Sequence, residues 1–111
     1  MNLKNKKVLI TGATGGIGNT IVSKFNSLGS KIVATGTNEE KLENLKKTFP
    51  NITIEKFKLD EHSNIEEFIN KVDNTLNGLE ILINNAGINL DNLSIRLTEE
   101  NWKKVIDINL T

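Results

Sequence analysis

At 111 residues the chain is long enough for one domain at most. Its 14 Lys+Arg balance 14 Asp+Glu, which excludes nucleic-acid or acidic-membrane binding driven by bulk charge, and no apolar run approaches the roughly 18 residues that span a bilayer. The absence of Cys removes disulfides, zinc–thiolate sites and cysteine nucleophiles, the single His62 rules out a multi-His metal site within one chain, and the lack of a secretory apolar region after Met1 points to a cytoplasmic protein.

Lys7-Val-Leu-Ile-Thr11 is a short apolar run ending at glycines and is predicted to be a buried strand. From Gly16, the residues Ile17, Ile21, Val22, Phe25 and Leu28 mark one stripe of a helix that Gly29 ends. Lys31-Ile-Val-Ala-Thr35 is a second strand. Asn38 then N-caps a helix with Glu39 and Glu40 in its first turn and Lys46 and Lys47 in its last, both placements suiting the helix dipole. Leu42, Leu45 and Phe49 form its stripe, and Pro50 stops it. A third strand runs from Ile52 to Leu59. Ser63-x-x-Glu66 is a capping box opening a helix whose stripe is Ile65, Phe68, Ile69, Val72 and Leu76. Asn77-Gly78 turns the chain into a fourth strand, Leu79-Glu-Ile-Leu-Ile83. After a loop rich in Asn and Gly, Thr98 caps a last helix carrying Trp102, Val105, Ile106 and Leu110.

This alternation predicts an α/β fold: a parallel sheet of order 3-2-1-4 with right-handed crossovers and helices on both faces. No fifth strand is expected beyond the fourth, and the last helix has no C-cap glycine before Thr111. The pattern is that of the front part of a doubly wound domain. A bare, apolar fourth strand leads us to expect that the isolated chain self-associates or packs loosely.

Thr11-Gly-Ala-Thr-Gly-Gly-Ile-Gly18 lies between the first strand and the first helix, where an open α/β sheet binds a dinucleotide. Glycine lets the backbone approach a pyrophosphate, and the helix N-terminus offers unpaired N–H groups. Gly12, Ala13, Thr14, Gly15, Gly16, Ile17 and Gly18 are therefore candidate cofactor-binding residues. The bland alternative is a tight turn without a ligand; a Walker loop is excluded, because no Gly-Lys-Ser/Thr follows. The spacing reads as G-x-x-x-G-x-G through Gly12, Gly16 and Gly18, or as G-x-x-G-x-x-G through Gly12, Gly15 and Gly18. Both resemble short-chain dehydrogenases/reductases, the first their principal form and the second their extended, sugar-nucleotide form.

Asn84-Asn-Ala-Gly87 chooses the first. In a chain with 17 Asn a lone Asn says little, but this pair sits at the end of the fourth strand, where the family carries its N-N-A-G motif. Small residues there let the chain pass beneath a cofactor, which adds Asn85, Ala86 and Gly87 to the candidates. The resemblance covers the whole chain and implies a Rossmann-type fold, with residues 1–111 as the NADP(H)-binding half. Asp91, Asn92, Arg96, Trp102, Asn109 and Leu110 further resemble the pattern of bacterial 3-oxoacyl-[acyl-carrier-protein] reductases. On the predicted last helix, at about 100° per residue, Asn109 falls on the apolar stripe with Trp102 and Val105. A buried amide needs partners; the resemblance implies the family's catalytic Asn, which holds a water in a proton relay.

The family moves a hydride between a nicotinamide and a carbonyl or alcohol, with a Tyr as general acid, a Lys that lowers its pKa and an orienting Ser. This chain has no Tyr. The resemblance thus places the catalytic Ser and Tyr-x-x-x-Lys after residue 111, and the chain alone is expected to be inactive. No acid ends the second strand to select a ribose 2′-hydroxyl; Gly36-Thr37-Asn38 stands there, and Thr14, Thr37 and Asn38 offer hydrogen bonds to a 2′-phosphate instead. The basic residue that often precedes the second motif glycine is replaced by Gly15, but the resemblance favours NADP(H). Lys58-Leu59 occupies the family's adenine position, with Asp60 one residue late, so Leu59 and Asp60 are candidates and Lys58 is a departure; His62 is expected to be solvated. The implied activity is reduction of a 3-oxoacyl thioester carried by acyl carrier protein, in fatty acid biosynthesis, by a homotetrameric parent that binds neither nucleic acid nor membrane. The alternatives are a family member acting on another ketone or alcohol, and a non-catalytic dinucleotide-binding module.

Overall fold

Alternation along each buried strand decides which helix layer its side chains meet. The computed structural model describes residues 2–58 and 64–86 and the backbone of 106–109. Its parallel sheet has the order β3-β2-β1-β4-β5, built from β1 (Lys7–Thr11), β2 (Lys31–Gly36), β3 (Thr53–Lys56), β4 (Ile81–Asn84) and β5 (Ile106–Asn109). Between them run α1 (Gly16–Ser27), α2 (Glu39–Thr48) and α3 (Ile65–Leu76). The predicted order 3-2-1-4 is present, extended by one strand.

In β1, Val8 and Ile10 join Val22 of α1 and Leu45 of α2, while Leu9 joins Phe68, Ile69 and Val72 of α3. β2 and β4 divide in the same way: Ile32, Ala34, Ile81 and Ile83 pack with the first group, Val33 and Leu82 with the second. One sheet thus separates two cores, and a strand buried on both faces reads as a continuous apolar run. Val8, Leu9 and Ile10 are fully buried, each contributing about 1.5–3 kcal/mol of apolar burial. That concentration puts β1 at the centre, in register with β2 (Ile10↔Ala34) and β4 (Ile10↔Ile83).

The helix ends follow local chemistry. Asn38 accepts the Lys41 N–H through its side chain at 3.0 Å, as predicted for the α2 cap. Gly29 takes φ +82° just beyond α1, and Asn77 at φ 55° ends α3. The α3 cap is one residue later than predicted. Asn64, not Ser63, accepts the Glu67 N–H at 2.9 Å, and its amide donates to the Glu67 carboxylate at 2.8 Å. A carboxamide can accept the backbone N–H with its oxygen and donate to the carboxylate with its nitrogen, so Asn64 competes well for the position. Asp73, buried on α3, accepts the Leu79 N–H at 2.7 Å and so fixes the turn into β4.

Three further expectations change. The third strand is shorter than Ile52–Leu59. Ile17 is 66% exposed and Leu28 is exposed, so neither belongs to the buried stripe of α1. At the first turn of α1 the inward position is held by Gly18, packed on the glycine loop, which turns Ile17 outward. The helix predicted through residues 106–109 is β5, paired parallel with β4 (Ile81↔Ile106, Asn84↔Asn109). Ile-Asp-Ile-Asn also alternates with period two, and pairing satisfies backbone groups along an apolar edge. β4 is therefore not a bare edge, which removes the premise for the expected self-association. The remainder of that predicted helix, with Thr98, Trp102, Val105 and Leu110, lies outside the described residues, as do Asp91, Asn92 and Arg96.

Candidate functional site

All strands are parallel, so their C-terminal ends share one rim of the sheet. There Thr11 stands beside Asn84 and Gly36 beside Lys56 in the pairing register. Above this rim lies a cleft of about 490 Å³ lined by Gly12, Thr14, Gly15, Thr35, Gly36, Thr37, Phe57, Lys58, Asn85 and Ala86. Six of these are residues predicted from sequence: Gly12, Thr14, Gly15, Thr37, Asn85 and Ala86.

The floor is a polar stitch between β1 and the segment after β4. Asn85 donates its side-chain N–H to the Gly12 carbonyl at 2.9 Å. The Thr11 hydroxyl donates to the Ile83 carbonyl at 3.3 Å and accepts the Ala86 N–H at 3.1 Å. The second Asn of the Asn-Asn pair thereby clamps the glycine turn. On the other side the Ala13 N–H donates to the Thr35 carbonyl at 3.0 Å, tying the turn to β2 and burying Ala13.

The glycines have different reasons to be glycine. Gly12 has φ +60°, and a Cβ there would lie 3.1 Å from Asn85 Nδ2. A Cβ on Gly18 would stand 2.1 Å from the Gly12 carbonyl oxygen, so Gly18 is required by helix–strand packing. Gly15 and Gly16 have no such reason. Among the described residues, a Cβ on Gly15 would meet only the Gly12 oxygen, at 3.8 Å, and one on Gly16 would meet nothing within 4 Å. Among the described residues nothing fills that space, which lies beside the helix start.

That helix start is also unlike the other two. α1 has no side-chain cap and no acid in its first turn, whereas α2 and α3 are capped by Asn38 and Asn64 and carry two Glu each in the first turn. Its leading N–H groups and positive dipole end are left available to an anion. The Thr35 hydroxyl, buried in the cleft wall, has no hydrogen-bond partner among the described residues. Buried hydroxyls are nearly always paired, so this one also fits a polar ligand in the cleft. The residues present therefore fit a dinucleotide.

The other predicted residues take different positions. Gly16 and Ile17 are exposed at the start of α1 and Gly18 is buried beneath the turn. The side-chain oxygen of Asn38 is engaged in capping α2. Asn109 lies on β5 with its backbone opposite Asn84. Leu59, Asp60, His62 and Gly87 lie outside the described residues. Sequence reasoning did not select Thr35, Gly36 or Phe57 as cleft residues. Thr35 and Phe57 looked like ordinary strand positions, and only the register, with the Phe57 N–H donating to the Gly36 carbonyl at 3.0 Å, brings the exit of β3 to the cleft. Among the described residues no helix is long and apolar enough to cross a membrane, and no three His, Cys, Asp or Glu are grouped to hold a metal.

Comparison with known proteins agrees with this geometry. The chain is 46% identical to the 3-oxoacyl-[acyl-carrier-protein] reductase FabG of Rickettsia prowazekii, over 99% of this chain and 44% of that protein. It is 37% identical to the FabG of Aquifex aeolicus, over 100% of this chain and 47% of that protein. Nodulation protein G of a Rhizobium species is 35% identical over 98% of this chain and 45% of its own length. The chain thus spans less than half the length of each of these relatives. The family model for short chain dehydrogenases matches residues 6–111, and with the glycine turn, the Asn-Asn-Ala clamp and the parallel sheet in place, the chain belongs to the short-chain dehydrogenase family.

Proposed function

We propose that this chain is the NADP(H)-binding part of an oxidoreductase that reduces a 3-oxoacyl thioester, carried by acyl carrier protein, to the 3-hydroxyacyl thioester. The observation that carries the dinucleotide reading is the uncapped, acid-free N-terminus of α1 opening beside Gly15 and Gly16. The substrate class rests on the similarity to the FabG proteins. When bound, the nicotinamide supplies or accepts a hydride. The work of this chain is to bind and orient. The first N–H groups of α1 receive the pyrophosphate, Asn85 holds the turn at the spacing this requires, and Thr14, Thr35 and Thr37 offer hydroxyls along the cleft.

Asn109 is assigned to the proton relay; its backbone pairs with β4 at the rim where the cleft opens. The general acid of the reaction, a Tyr, has no counterpart among these residues. The Ser and Tyr-x-x-x-Lys of the family are expected downstream of residue 111, in a homotetrameric parent, and residues 1–111 alone are expected to bind without turnover. Calorimetric titration with NADPH tests the binding reading: saturable binding supports it, and its absence overturns it. NADPH oxidation with an acetoacetyl thioester, by a protein that includes the downstream residues, tests the substrate. Activity on another ketone but not on this one overturns the thioester assignment and leaves the cofactor site standing.

A further inference from the structure

Of the 17 Asn in the chain, Asn77 alone is followed by glycine, in the turn from α3 into β4. Asn-Gly suits this turn, since both residues take positive φ, 55° at Asn77 and 117° at Gly78. The same pair is chemically labile. Glycine has no side chain to screen its backbone nitrogen, and once a base removes the proton, that nitrogen can attack the neighbouring side-chain amide. Here the Gly78 nitrogen would bond to Asn77 Cγ and close a five-membered succinimide. The Cγ–Nδ2 bond breaks, and the leaving nitrogen takes up a proton to depart as ammonia. Water then opens the ring and leaves a carboxylate, as aspartate or as isoaspartate, whose backbone is one methylene longer. Asn77 is exposed, so water and base reach it.

The folded turn opposes that reaction. At ψ 45° the tetrahedral geometry at Cα points the Asn77 Cβ nearly opposite to the Gly78 nitrogen, so Cγ cannot reach it. Attack requires the peptide plane between Asn77 and Gly78 to rotate, and that plane is held at both edges. Its carbonyl accepts from Lys7 Nζ at 2.6 Å, and its N–H donates to the Asp73 carbonyl at 2.8 Å. The next N–H, of Leu79, donates to the Asp73 carboxylate at 2.7 Å. We infer that Asn77 is the deamidation site of this chain, and that Lys7 and Asp73 set its rate by holding this peptide plane away from the side chain. Modification passes through local opening of the α3–β4 turn and not through unfolding of the sheet. The inference is independent of the dinucleotide reading. Asn26, the one Asn followed by Ser, is the competing site; it lies within α1, whose ladder engages the backbone N–H groups.

The test is peptide mass spectrometry of the chain and its variants after incubation in mildly alkaline buffer, which reads the conversion of each Asn to Asp or isoaspartate. In denaturant Asn77 should convert before any other Asn. In the folded chain it should convert on the order of tenfold or more slowly, as expected when two hydrogen bonds must open first. Lys7→Met alters an exposed contact and should raise the folded rate by about two- to tenfold, the effect of one hydrogen bond. Asp73→Ala should raise it by on the order of tenfold or more, and Asp73→Asn by less, because an acceptor oxygen remains. Asn38→Ala, which weakens the remote α2 cap, should leave it unchanged. Another Asn converting first in denaturant, or Asn77 converting as fast in the folded chain as in denaturant, overturns the inference. A folded rate that neither Lys7→Met nor Asp73→Ala raises also overturns it. So does acceleration by Asn38→Ala as large as that by Lys7→Met, which would route the modification through global unfolding.

Discussion

Replacing Gly16 and Gly18 by Ala, one at a time, separates what the fold demands of the turn from what a ligand demands. A methyl group on Gly18 would lie 2.1 Å from the Gly12 carbonyl oxygen and 2.8 Å from Ala13 Cα. Both are backbone atoms of a loop held by Asn85 and Thr35, so they cannot rotate away. Overpacking costs about 1–3 kcal/mol where side chains can adjust, and a backbone clash sits at the upper end. The gain in helix propensity, about 1 kcal/mol, offsets part of it. Gly18→Ala should therefore lose about 1–2 kcal/mol net, lowering Tm by roughly 4–10 °C for a domain near this size. A methyl group on Gly16 meets nothing within 4 Å among the described residues. Gly16→Ala should hold or gain about 0.5 kcal/mol through the reduced entropy of its unfolded state. Its NADPH affinity should nevertheless fall by on the order of tenfold or more, because on the proposed function the methyl group would fill space the cofactor takes, a loss of the size seen when one close ligand contact is lost. Thermal unfolding and calorimetric titration of the two variants read both effects. Gly18→Ala as stable as the parent would refute the steric account of the turn. Gly16→Ala binding NADPH as tightly as the parent would refute placing the cofactor against α1.

Asn38→Ala should cost about 1 kcal/mol by removing the α2 cap, seen as a lower urea midpoint with an unchanged m-value. Asp73→Ala leaves the buried Leu79 N–H unpaired and should cost about 1–3 kcal/mol in the same assay, with Asp73→Asn retaining most of the stability because an acceptor oxygen remains. Ile17→Ser should change stability by no more than about 0.5 kcal/mol, as for an exposed position; a larger loss would mean that Ile17 is packed.

The order of strands and helices through β4 was legible because each local signal agreed with its neighbours: apolar runs bounded by glycine, a 3.6-residue stripe on each helix, Asn38 before two Glu. The glycine turn and the Asn-Asn-Ala segment were legible as neighbours at one rim of the sheet for the same reason, since their positions after β1 and β4 follow from the alternation. What was not legible depends on contacts across the fold. Ile17 looked buried by spacing, and only the packing of Gly18 on the Gly12 carbonyl shows why it faces outward. Ser63 and Asn64 are both good caps, and the choice between them depends on which residue begins the helical geometry. Ile106 to Asn109 satisfies both periods over four residues, and the neighbouring β4 decides. Lys58 stood out as a departure from an expected pattern, yet its place in the cleft needed the β2–β3 register.

The polar stitch beneath the cleft has a kinetic meaning. Its three hydrogen bonds join positions 72, 73 and 75 apart in the chain. Contacts of such high sequence separation form late, after the loops between them have closed. The turn can fold beside β2 early, through Ala13 and Thr35, but the cleft is complete only when β4 has docked and Asn85 reaches Gly12. On the proposed function, a nucleotide would recognise the finished sheet and nothing before it. Saturating nucleotide should thus leave the refolding rate unchanged and appear wholly as slower unfolding, as for any interaction absent from the transition state.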